Sequence, residues 1–392
     1  MTGRTMPMLA ALAALIVGAC SSGPAASTGP TPIGSIGVGE GALSVLAWPG
    51  YAENGSTDPN YNWVKPFEDK TGCKTTVQVF GTSDEAFQLF TKNPEQYDVI
   101  SASGDASRRL INGGFVQPVN VNLVSTYPDI IPALKDKPWN TLDGVHYGIP
   151  HGRGPNLLMY NTQKITPPPT SWSALFDPAK TAAASISVYD APIYIADAAV
   201  VLMQTKPDLG IKNPYALDDT QFKAAVDLLK VQRPLIKEYW TDYLKQMDSF
   251  RNGNVTQGTT WQLQQSLLEA EKPPVPVKSI APAAGSTGWS DTWMINSKTK
   301  HVNCAYQWLQ HITSPEINIA VAEYFGEAPA NSKACALSTV QGHCELYHAM
   351  DEGYWDKVWY WSTPETECLD GRTNVKCKAF DDWIKAWTEI KG

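Results

Sequence analysis

The stretch Leu43-Ser44-Val45-Leu46-Ala47-Trp48-Pro49-Gly50-Tyr51 begins the alternation that decides the fold. Its apolar first half predicts a strand over 43–48, and Pro49-Gly50 predicts a turn. Downstream the pattern repeats, with helices predicted at 61–71, 83–91 and 106–112 and strands at 74–80 and 97–101. Strands that alternate with helices predict a parallel sheet with crossover helices. Ligands of such sheets collect at the carboxyl ends of the strands, where Trp48 and residues 101–105 lie.

The rest of the 392-residue chain continues this pattern and is long enough for two domains. Strands are predicted at 147–150, 157–161, 184–189, 253–261 and 287–295, and helices at 195–204, 221–233, 304–313 and 315–325. The aromatic-rich tail 350–392 is predicted to be helical, with Trp383 and Trp387 on one face. These patterns predict an α/β protein.

The first 19 residues have the features of a secretory signal: Arg4, an apolar run over 8–17, and the small residues Gly18 and Ala19 before Cys20. The segment resembles the lipobox of bacterial lipoproteins, in which the cysteine is acylated and becomes the new N-terminus. The apolar run is shorter than the roughly 20 residues that a transmembrane helix needs. The resemblance implies an exported protein that is lipid-anchored to the outer face of the cytoplasmic membrane. A cleaved signal in which Cys20 is incidental is the alternative.

Residues 20–41 are rich in Gly, Ser, Pro and Ala and nearly free of charge, so we predict a flexible spacer. Gly37, Gly39 and Gly41 are spaced like part of a nucleotide-binding loop, but no strand precedes them. We therefore predict no cofactor.

The composition, 43% apolar and 18% charged, is that of a globular protein with a full core. The formal net charge of -8 argues against a nucleic-acid partner and is consistent with a cationic ligand. The 14 Trp and 16 Tyr supply flat, amphipathic surfaces for ligand packing. The sequence contains no nucleophile elbow, zinc-helix signature or phosphate loop, so we predict that the protein is not an enzyme.

Six of the 7 cysteines remain once Cys20 is assigned to lipid, and an even number in an exported chain predicts disulfides. These six are Cys73, Cys304, Cys335, Cys344, Cys368 and Cys377. The last four form two pairs at short loop spacing, which leaves the first two to pair across the chain. The alternative is a metal site built from Cys335, His343, Cys344 and His348. Because adjacent His and Cys ligands are awkward for tetrahedral closure, we predict no metal.

Six separated motifs occur in the order in which they occur in one protein family. They are Ala47-Trp48-Pro49-Gly50-Tyr51, Tyr97-Asp98-Val99-Ile100, Tyr147-Gly148-Ile149-Pro150, Thr170-Ser171-Trp172-Ser173-Ala174-Leu175, Trp289-Ser290-Asp291 and Gly326-Glu327-Ala328-Pro329-Ala330-Asn331. From Leu43 onward the chain resembles the substrate-binding proteins of polyamine ABC importers, the spermidine/putrescine-binding group. Each motif alone is weak, and the ordered set carries the resemblance.

The resemblance implies the two-lobed periplasmic-binding-protein fold, in which each lobe is a mostly parallel sheet flanked by helices and the ligand lies in the interlobe cleft. Lobe 1 is expected to comprise 42–157 and a return segment 291–335, and lobe 2 to comprise 158–290 and C-terminal helices at 336–392. Cys73 and Cys304 then fall in one lobe, in agreement with their pairing. The implied function is capture of a small amine, such as putrescine or spermidine, by lobe closure and its delivery to an ABC permease with its ATPase.

A polyamine site needs carboxylates that pair with the ammonium groups and aromatic faces along the methylene chain. By position, the resemblance implies ligand-binding roles for Trp48, Tyr51, Ser103, Asp105, Asp190, Trp261, Trp289, Asp291 and Glu327. The alternative interpretation of Trp261 and Trp289 is packing in the core. The alternative interpretation of Asp190 is a role as a helix N-cap.

Two departures from the family pattern bear on the ligand. Ile193 stands where the family has a second carboxylate, and Glu327 stands where a tyrosine is common, so Glu327 is expected to restore the lost charge. Arg153, in the segment HGRGPN, lies near the expected cleft and is a candidate contact for a ligand carboxylate, with a surface salt bridge as its alternative. The alternative ligand is therefore a zwitterionic or carboxylate-bearing amine of the amino acid, opine or betaine type. A lipoprotein receptor that works without a permease is a further alternative.

Overall fold

The structure is a computed structural model that describes residues 31–181 and 185–392, together with residues 1 and 3. Its strands are β1 Ala42–Ala47, β2 Lys74–Val79, β3 Val99–Ala102, β4 Thr141–Leu142, β5 Val145–His146, β6 Gly148–Pro155, β7 Leu157–Asn161, β8 Ile186–Tyr189, β9 Ile236–Trp240, β10 Gln257–Thr260, β11 Val277–Ile280, β12 Ser286–Ile295, β13 Ala328–Pro329 and β14 Val358–Tyr360. Its helices are α1 Val64–Thr71, α2 Ser83–Lys92, α3 Gly104–Asn112, α4 Ser173–Phe176, α5 Pro178–Thr181, α6 Ile195–Thr205, α7 Asp219–Gln232, α8 Tyr243–Arg251, α9 Gln262–Ala270, α10 Val302–Ile312, α11 Pro315–Phe325, α12 His343–Leu346, α13 Glu352–Trp355 and α14 Phe380–Lys391.

Lobe 1 is built on a sheet of strand order β13-β6-β12-β3-β1-β2, and β14 pairs with β12. β1 runs parallel to β2 and β3, with Val45 opposite both Val77 and Val99. The apolar residues of β1 and β3 are buried on both faces, as crossover helices on a parallel sheet require. β12 runs antiparallel to β3 and β6 because it enters from the other lobe.

Lobe 2 is built on a second sheet of order β11-β7-β10-β8-β9. β8 is parallel to β9 and β10, whereas β7 is antiparallel to β10 and β11. The predicted two-lobed α/β class is confirmed, and β12 in the first sheet and β7 in the second run against the parallel strands. Within the described ranges, no helix has the length and apolar character needed to cross a membrane.

The two connections between the sheets lie side by side at Asn156 and Thr287. The backbone N–H of Asn156 donates to the carbonyl of Thr287 (2.9 Å), and its side-chain Nδ2 donates to Thr287 Oγ1 (2.7 Å). The tail adds a third contact, because the N–H of Trp361 donates to the carbonyl of Gly288 (2.7 Å). Gly104 lets this segment approach α3, since a Cβ there would overlap the carbonyl oxygen of Trp361. The strands that connect the two sheets and the C-terminal tail thus meet at one place between the lobes.

The predicted βα elements are present with small shifts at their ends. Thr82 caps α2 by accepting from the N–H of Glu85, and Asp218 caps α7 in the same way through Gln221. Gly72, at φ 72°, ends α1 in the left-handed conformation. Sequence patterns did not predict β9, α8, α9 or β11, and two of these elements, α8 and α9, line the cavity described below.

The last residues of the segment predicted to be a flexible spacer pack on lobe 1 instead. Glu40 accepts the N–H groups of Asn303 and Cys304 (both 2.9 Å) and so caps the start of α10. Gly39 lies against the Cys73–Cys304 disulfide, where a side chain would collide with the sulfur atoms. This end of the spacer is therefore docked on lobe 1. Cys20, the signal and the earlier spacer residues lie outside the described residues.

The structure contains the three predicted disulfides, Cys73–Cys304, Cys335–Cys344 and Cys368–Cys377. The alternative metal site therefore loses its two thiolates to a covalent bond. The tail that was expected to pack on lobe 2 divides between the lobes: β14 joins the first sheet, whereas α14 packs on lobe 2 through Trp383 and Trp387.

Candidate ligand-binding site

A cavity of about 800 Å³ lies between the two lobes. Lobe 1 contributes Trp48, Phe80 and Tyr324, and lobe 2 contributes Tyr243 and Trp261. Trp48 and Phe80 pack with ring centroids 4.5 Å apart. The volume is typical of a site for a small organic ligand, and the rings give it a mainly apolar wall.

Three carboxylates stand in this wall, each fixed by a backbone N–H group. Glu53 accepts from Gly50 (3.1 Å), Glu85 accepts from Gly81 (2.8 Å), and Asp242 caps α8 by accepting from Leu244 (2.9 Å). The described residues that line the cavity include no Lys or Arg. The cavity therefore presents negative charge beside aromatic faces, the combination that favours an organic cation.

Glu53 and Tyr243 show that this charge acts across the cleft. Burial raises the pKa of Tyr243, and the nearby carboxylates of Asp242 and Glu53 raise it further. Tyr243 belongs to lobe 2 and Glu53 to lobe 1. The two lobes thus face one another closely enough for both to contact one ligand.

A smaller, enclosed pocket of about 10 Å³ lies on the lobe 2 side. Tyr189 is its central ring, with centroid distances of 5.0 Å to Trp240, 5.9 Å to Trp261 and 5.7 Å to Trp361. Asp197 also lines it. Trp261 lines both cavities. Its indole Nε1 donates to Asn156 Oδ1 (3.0 Å), which ties this ring to the segment that connects the two sheets.

Tyr51, Ser103, Asp291 and Glu327 form a buried polar network beneath the cleft. The Tyr51 hydroxyl donates to Asp291 Oδ2 (2.7 Å) and lies 2.9 Å from Glu327 Oε2, and the Ser103 hydroxyl donates to Asp291 Oδ1. Tyr51 has one proton to donate, so its second contact needs a proton on a carboxyl group. Burial and the neighbouring charge of Asp291 raise the pKa of Glu327 well above its usual range.

Burial thus favours the neutral form of the Glu327 carboxyl group, which argues against the expectation that it restores a charge. His151 lies 3.4 Å from its Oε1 and is itself neutral, because burial lowers the pKa of His151 to about 3. Gly152 makes room for the carboxyl group, since a Cβ at that position would overlap it. Asp291 is the charged member of the network above about pH 6, because burial raises its pKa to about 6.

The remaining predicted residues have other partners. The Asp190 carboxylate accepts from Lys391 Nζ (2.6 Å) and Trp387 Nε1 (3.0 Å), so α14 covers it. Asp105 is buried and accepts from the Ser83 hydroxyl (2.9 Å), and burial raises its pKa to about 7. Neither carboxylate lines the two cavities described above.

Arg153 lies in β6 and is directed to the C-terminal segment. Its fully buried guanidinium pairs with Glu352 (2.6 Å), donates to the carbonyl of Ala349 (3.0 Å) and lies over the ring of Trp355 (4.4 Å). Arg153 therefore forms a salt bridge, as the alternative interpretation expected, but its guanidinium is buried rather than on the surface. Trp289 is also buried and packs edge-on against Phe325 (5.7 Å), which lines the large cavity. Trp48 and Trp261 are thus the predicted ligand residues that line a cavity.

Sequence patterns missed the carboxylates of the large cavity and the residues Asp197, Trp240 and Trp361. Glu53 follows the first strand and its turn by only a few residues, and this position at a strand end is the signal that could have found it. Trp240 and Trp361 carried no such signal, because β9 was not predicted and Trp361 reaches the pocket through the folding of the tail.

Residues 62–345 match the family described as bacterial extracellular solute-binding protein. The chain belongs to this family, whose members are exported binding components of transport systems. Binding proteins of ABC importers deliver small ligands to a permease and its ATPase, and the family match gives this chain the role of an extracellular solute-binding protein.

Individual relatives are distant. The putrescine-binding periplasmic protein PotF of Escherichia coli K12 is 22% identical over 332 residues, which are 78% of this chain and 86% of PotF. The spermidine/putrescine substrate-binding protein PotD of Streptococcus pneumoniae superposes with a TM-score of 0.67 at 18% identity, covering 90% of this chain and 99% of PotD. MotA of A. tumefaciens B6, in complex with glucopine, has a TM-score of 0.67 at 15% identity, covering 90% and 100%. These likenesses establish the two-lobed fold.

Proposed function

We propose that this protein is the binding lipoprotein of an ABC importer that captures a polyamine-type organic cation such as putrescine or spermidine. The observation that carries the proposal is the interlobe cavity, whose aromatic walls hold Glu53, Glu85 and Asp242 without a Lys or Arg among its described lining residues. Carboxylates offset the loss of hydration of ammonium groups, and the rings of Trp48 and Trp261 add cation–π attraction along the chain of the ligand.

The position of Arg153 favours a cation over a zwitterion. A ligand carboxylate would need a basic partner in the cleft, and the Arg153 guanidinium is buried against Glu352 and Ala349 instead. Breaking such a buried pair to bind a ligand is costly. An amino acid, opine or betaine therefore has no evident partner for its carboxylate in the described part of the cavity wall.

Capture proceeds by lobe closure about the hinge at Asn156 and Thr287. A cation that contacts Glu53 of lobe 1 and Tyr243 of lobe 2 at once binds the closed form more tightly than the open form and shifts the equilibrium toward it. Tyr51, Ser103 and Asp291 support the lobe 1 wall as a hydrogen-bonded layer, with Asp291 adding negative charge from below. In this mechanism the chain passes from lobe 1 to lobe 2 near residue 157 and returns to lobe 1 near residue 290.

The signal, Cys20 and the spacer complete the proposal. Acylated Cys20 would hold the protein at the outer face of the cytoplasmic membrane, where the closed form meets the permease. Docking of the spacer end through Glu40 attaches the anchor to lobe 1, so lobe 2 is free to move relative to the membrane.

Isothermal titration of the purified full chain with putrescine, spermidine, glycine betaine and glutamate tests this function. We expect saturable binding of the two polyamines and none of the other two. A Glu53→Gln variant should bind the polyamines more weakly, and an Asp208→Asn variant, which changes an exposed residue outside the cavity lining, serves as control. Silence toward both polyamines together with clear binding of a carboxylate-bearing ligand would overturn the proposal.

A further inference from the structure

α3 of lobe 1 and the start of α14 of lobe 2 meet beside a groove of about 560 Å³. The contact is made by Arg109, whose side chain is 14% exposed. Its guanidinium carbon lies 3.9 Å from the ring centroid of Phe87 and 4.3 Å from that of Phe380. Phe87 belongs to α2 of lobe 1 and Phe380 to α14. One cation therefore lies between aromatic rings from the two lobes.

The two sides of this contact are fixed to different lobes. Arg109 Nη1 donates to Asp84 Oδ1 of α2 (2.7 Å), which orients the guanidinium within lobe 1. α14 is held on lobe 2 by Trp383, which packs against Phe222 of α7 (5.8 Å). Phe380 is buried in the first turn of the same helix and moves with it. A rotation of one lobe relative to the other therefore moves Phe380 relative to Arg109.

The lobes have not closed over the large cavity in the described arrangement. Val79 of lobe 1 and Leu244 and Leu267 of lobe 2 line the cavity and are 52%, 53% and 39% exposed. Apolar side chains on the two rims of a cleft lose this exposure when the rims meet, and their burial favours the closed form. The arrangement that contains the contact of Arg109 is therefore more open than the one that encloses a ligand.

The contact of Arg109 and the large cavity lie on different faces of α2. Glu85 of α2 lines the cavity, and Phe87, two residues later, contacts Arg109. Because an α-helix turns about 100° per residue, these two side chains leave α2 in nearly opposite directions. Arg109, Phe87 and Phe380 are not among the described residues that line the cavity. A rotation that brings lobe 2 toward the cavity face of α2 thus moves Phe380 away from the opposite face.

We propose that Arg109, held between Phe87 and Phe380, is a latch that stabilises the open arrangement of the lobes and thereby lowers the affinity for the ligand. The proposal rests on the proposed function and adds a control of its affinity. A ligand that closes the lobes must break the latch, and its measured affinity is reduced in proportion to the fraction of closed protein. A cation–π contact of this kind changes such an equilibrium by about three- to tenfold.

Phe380→Leu removes the lobe 2 ring and leaves every charge in place, so a change in electrostatics cannot account for its effect. By titration of the full chain, we expect its affinity for putrescine to rise about three- to tenfold. The matched control is Phe90→Leu, which removes a buried ring that packs on Tyr97 within lobe 1 (6.4 Å) and should bring no gain. If the wild type binds putrescine and Phe380→Leu binds it no more tightly, the inference is wrong while the proposed function stands.

Arg109→Lys is the second variant, because it keeps a charge beside Asp84 and gives up the planar guanidinium that stacks between the rings. Its affinity for putrescine should also rise, and it carries the test if Phe380→Leu does not fold. The variant with both changes should gain no more than the larger of the two single gains, since both changes remove one contact. Fully additive gains would mean that the two residues act separately and would overturn the latch.

Single-molecule fluorescence energy transfer tests the latch without any ligand. One dye is attached through Lys300→Cys on lobe 1 and the other through Asp208→Cys on lobe 2, both at exposed positions. We expect the closed fraction of the ligand-free full chain to rise about three- to tenfold in Phe380→Leu. An unchanged closed fraction would overturn the inference. A wild type that binds neither polyamine would refute the proposed function, and the closed fractions would still decide the latch.

Discussion

The Asp197 carboxylate should give the ligand-free protein a defined pH dependence. Burial raises its folded-state pKa to about 7, against about 3.9 in an unfolded chain. Between these values the unfolded chain loses the proton while the folded chain retains it, so the free energy of unfolding falls as the pH rises from 4 to 7. Above pH 7 both states are ionised and the contribution is constant. At neutral pH, the free energy of unfolding of the ligand-free protein is therefore smaller than it would be with a neutral side chain at position 197.

The size of the effect follows from the pKa shift. A shift of about 3 units corresponds to about 4 kcal/mol, an upper limit because the folded protein relaxes around the charge. Asp197→Asn cannot ionise and retains the oxygen that accepts from the Thr287 hydroxyl (2.9 Å). We expect its free energy of unfolding to exceed that of the wild type by about 2 to 4 kcal/mol at pH 8 and by about 1 kcal/mol at pH 5.

Urea unfolding of the ligand-free full chain at pH 5 and pH 8, followed by tryptophan fluorescence, measures this difference. Asp208→Asn is the control and should follow the wild type at both pH values, since its side chain is exposed. Equal stability of Asp197→Asn and the wild type at pH 8 would refute the reasoning, because it would mean that the carboxylate is compensated or hydrated in the folded chain.

Three further outcomes are expected. Glu352→Gln should lower the free energy of unfolding by about 1 to 2 kcal/mol, because it leaves the buried Arg153 guanidinium without its counter-ion while Glu352 itself is half exposed. The polyamine affinity measured by titration should change by less than about twofold. Loss of polyamine binding in this variant would mean that Arg153 does belong to the ligand site. Trp261→Ala should weaken polyamine binding about tenfold or more through the lost ring face, and unchanged affinity would remove Trp261 from the site. Replacing Cys73 and Cys304 by Ser should lower the free energy of unfolding, measured in urea, by about 5 kcal/mol. This value is the entropy that a cross-link removes from the unfolded chain at a sequence separation of 231. A loss below about 1 kcal/mol would contradict the idea that the disulfide acts by restraining the unfolded chain.

Local signals in the sequence account for most of the fold. The apolar run of β1, the cap residues Thr82 and Asp218 and the stop at Gly72 act within a few residues of themselves, so they could be recognised without the tertiary structure. β9 and α8 were not recognised from the sequence patterns. These elements owe their stability to packing against the rest of lobe 2, and this is information that a single segment does not contain.

The candidate site was predictable only in part, and the residues show why. Trp48 and Trp261 lie at strand ends, where pattern reading places ligands, and both line the cavity. Asp190 and Arg153 also lie on strands or at their ends, but each is paired with a residue from the C-terminal tail. Lys391 of α14 pairs with Asp190, and Glu352 of α13 pairs with Arg153. A carboxylate or guanidinium is available to a ligand only when no closer partner takes it, and partners from the distant tail are invisible in the local sequence.

The sequence by itself determined the α/β class and the two short-range disulfides, because strand and helix periodicity and cysteine spacing are properties of neighbouring residues. The two-lobed architecture and the transport family followed from the resemblance to known polyamine-binding proteins, and the pairing of Cys73 with Cys304 followed by elimination. Only the tertiary structure decided which charges face the ligand. It buried Glu327, which favours the neutral form of its carboxyl group, and it paired Arg153 with Glu352. It also placed Asp197 beside a pocket lined by five aromatic side chains, with no cationic partner among the described residues. Burial and long-range partners set the charge and accessibility of each side chain, and both depend on how segments far apart in the chain meet.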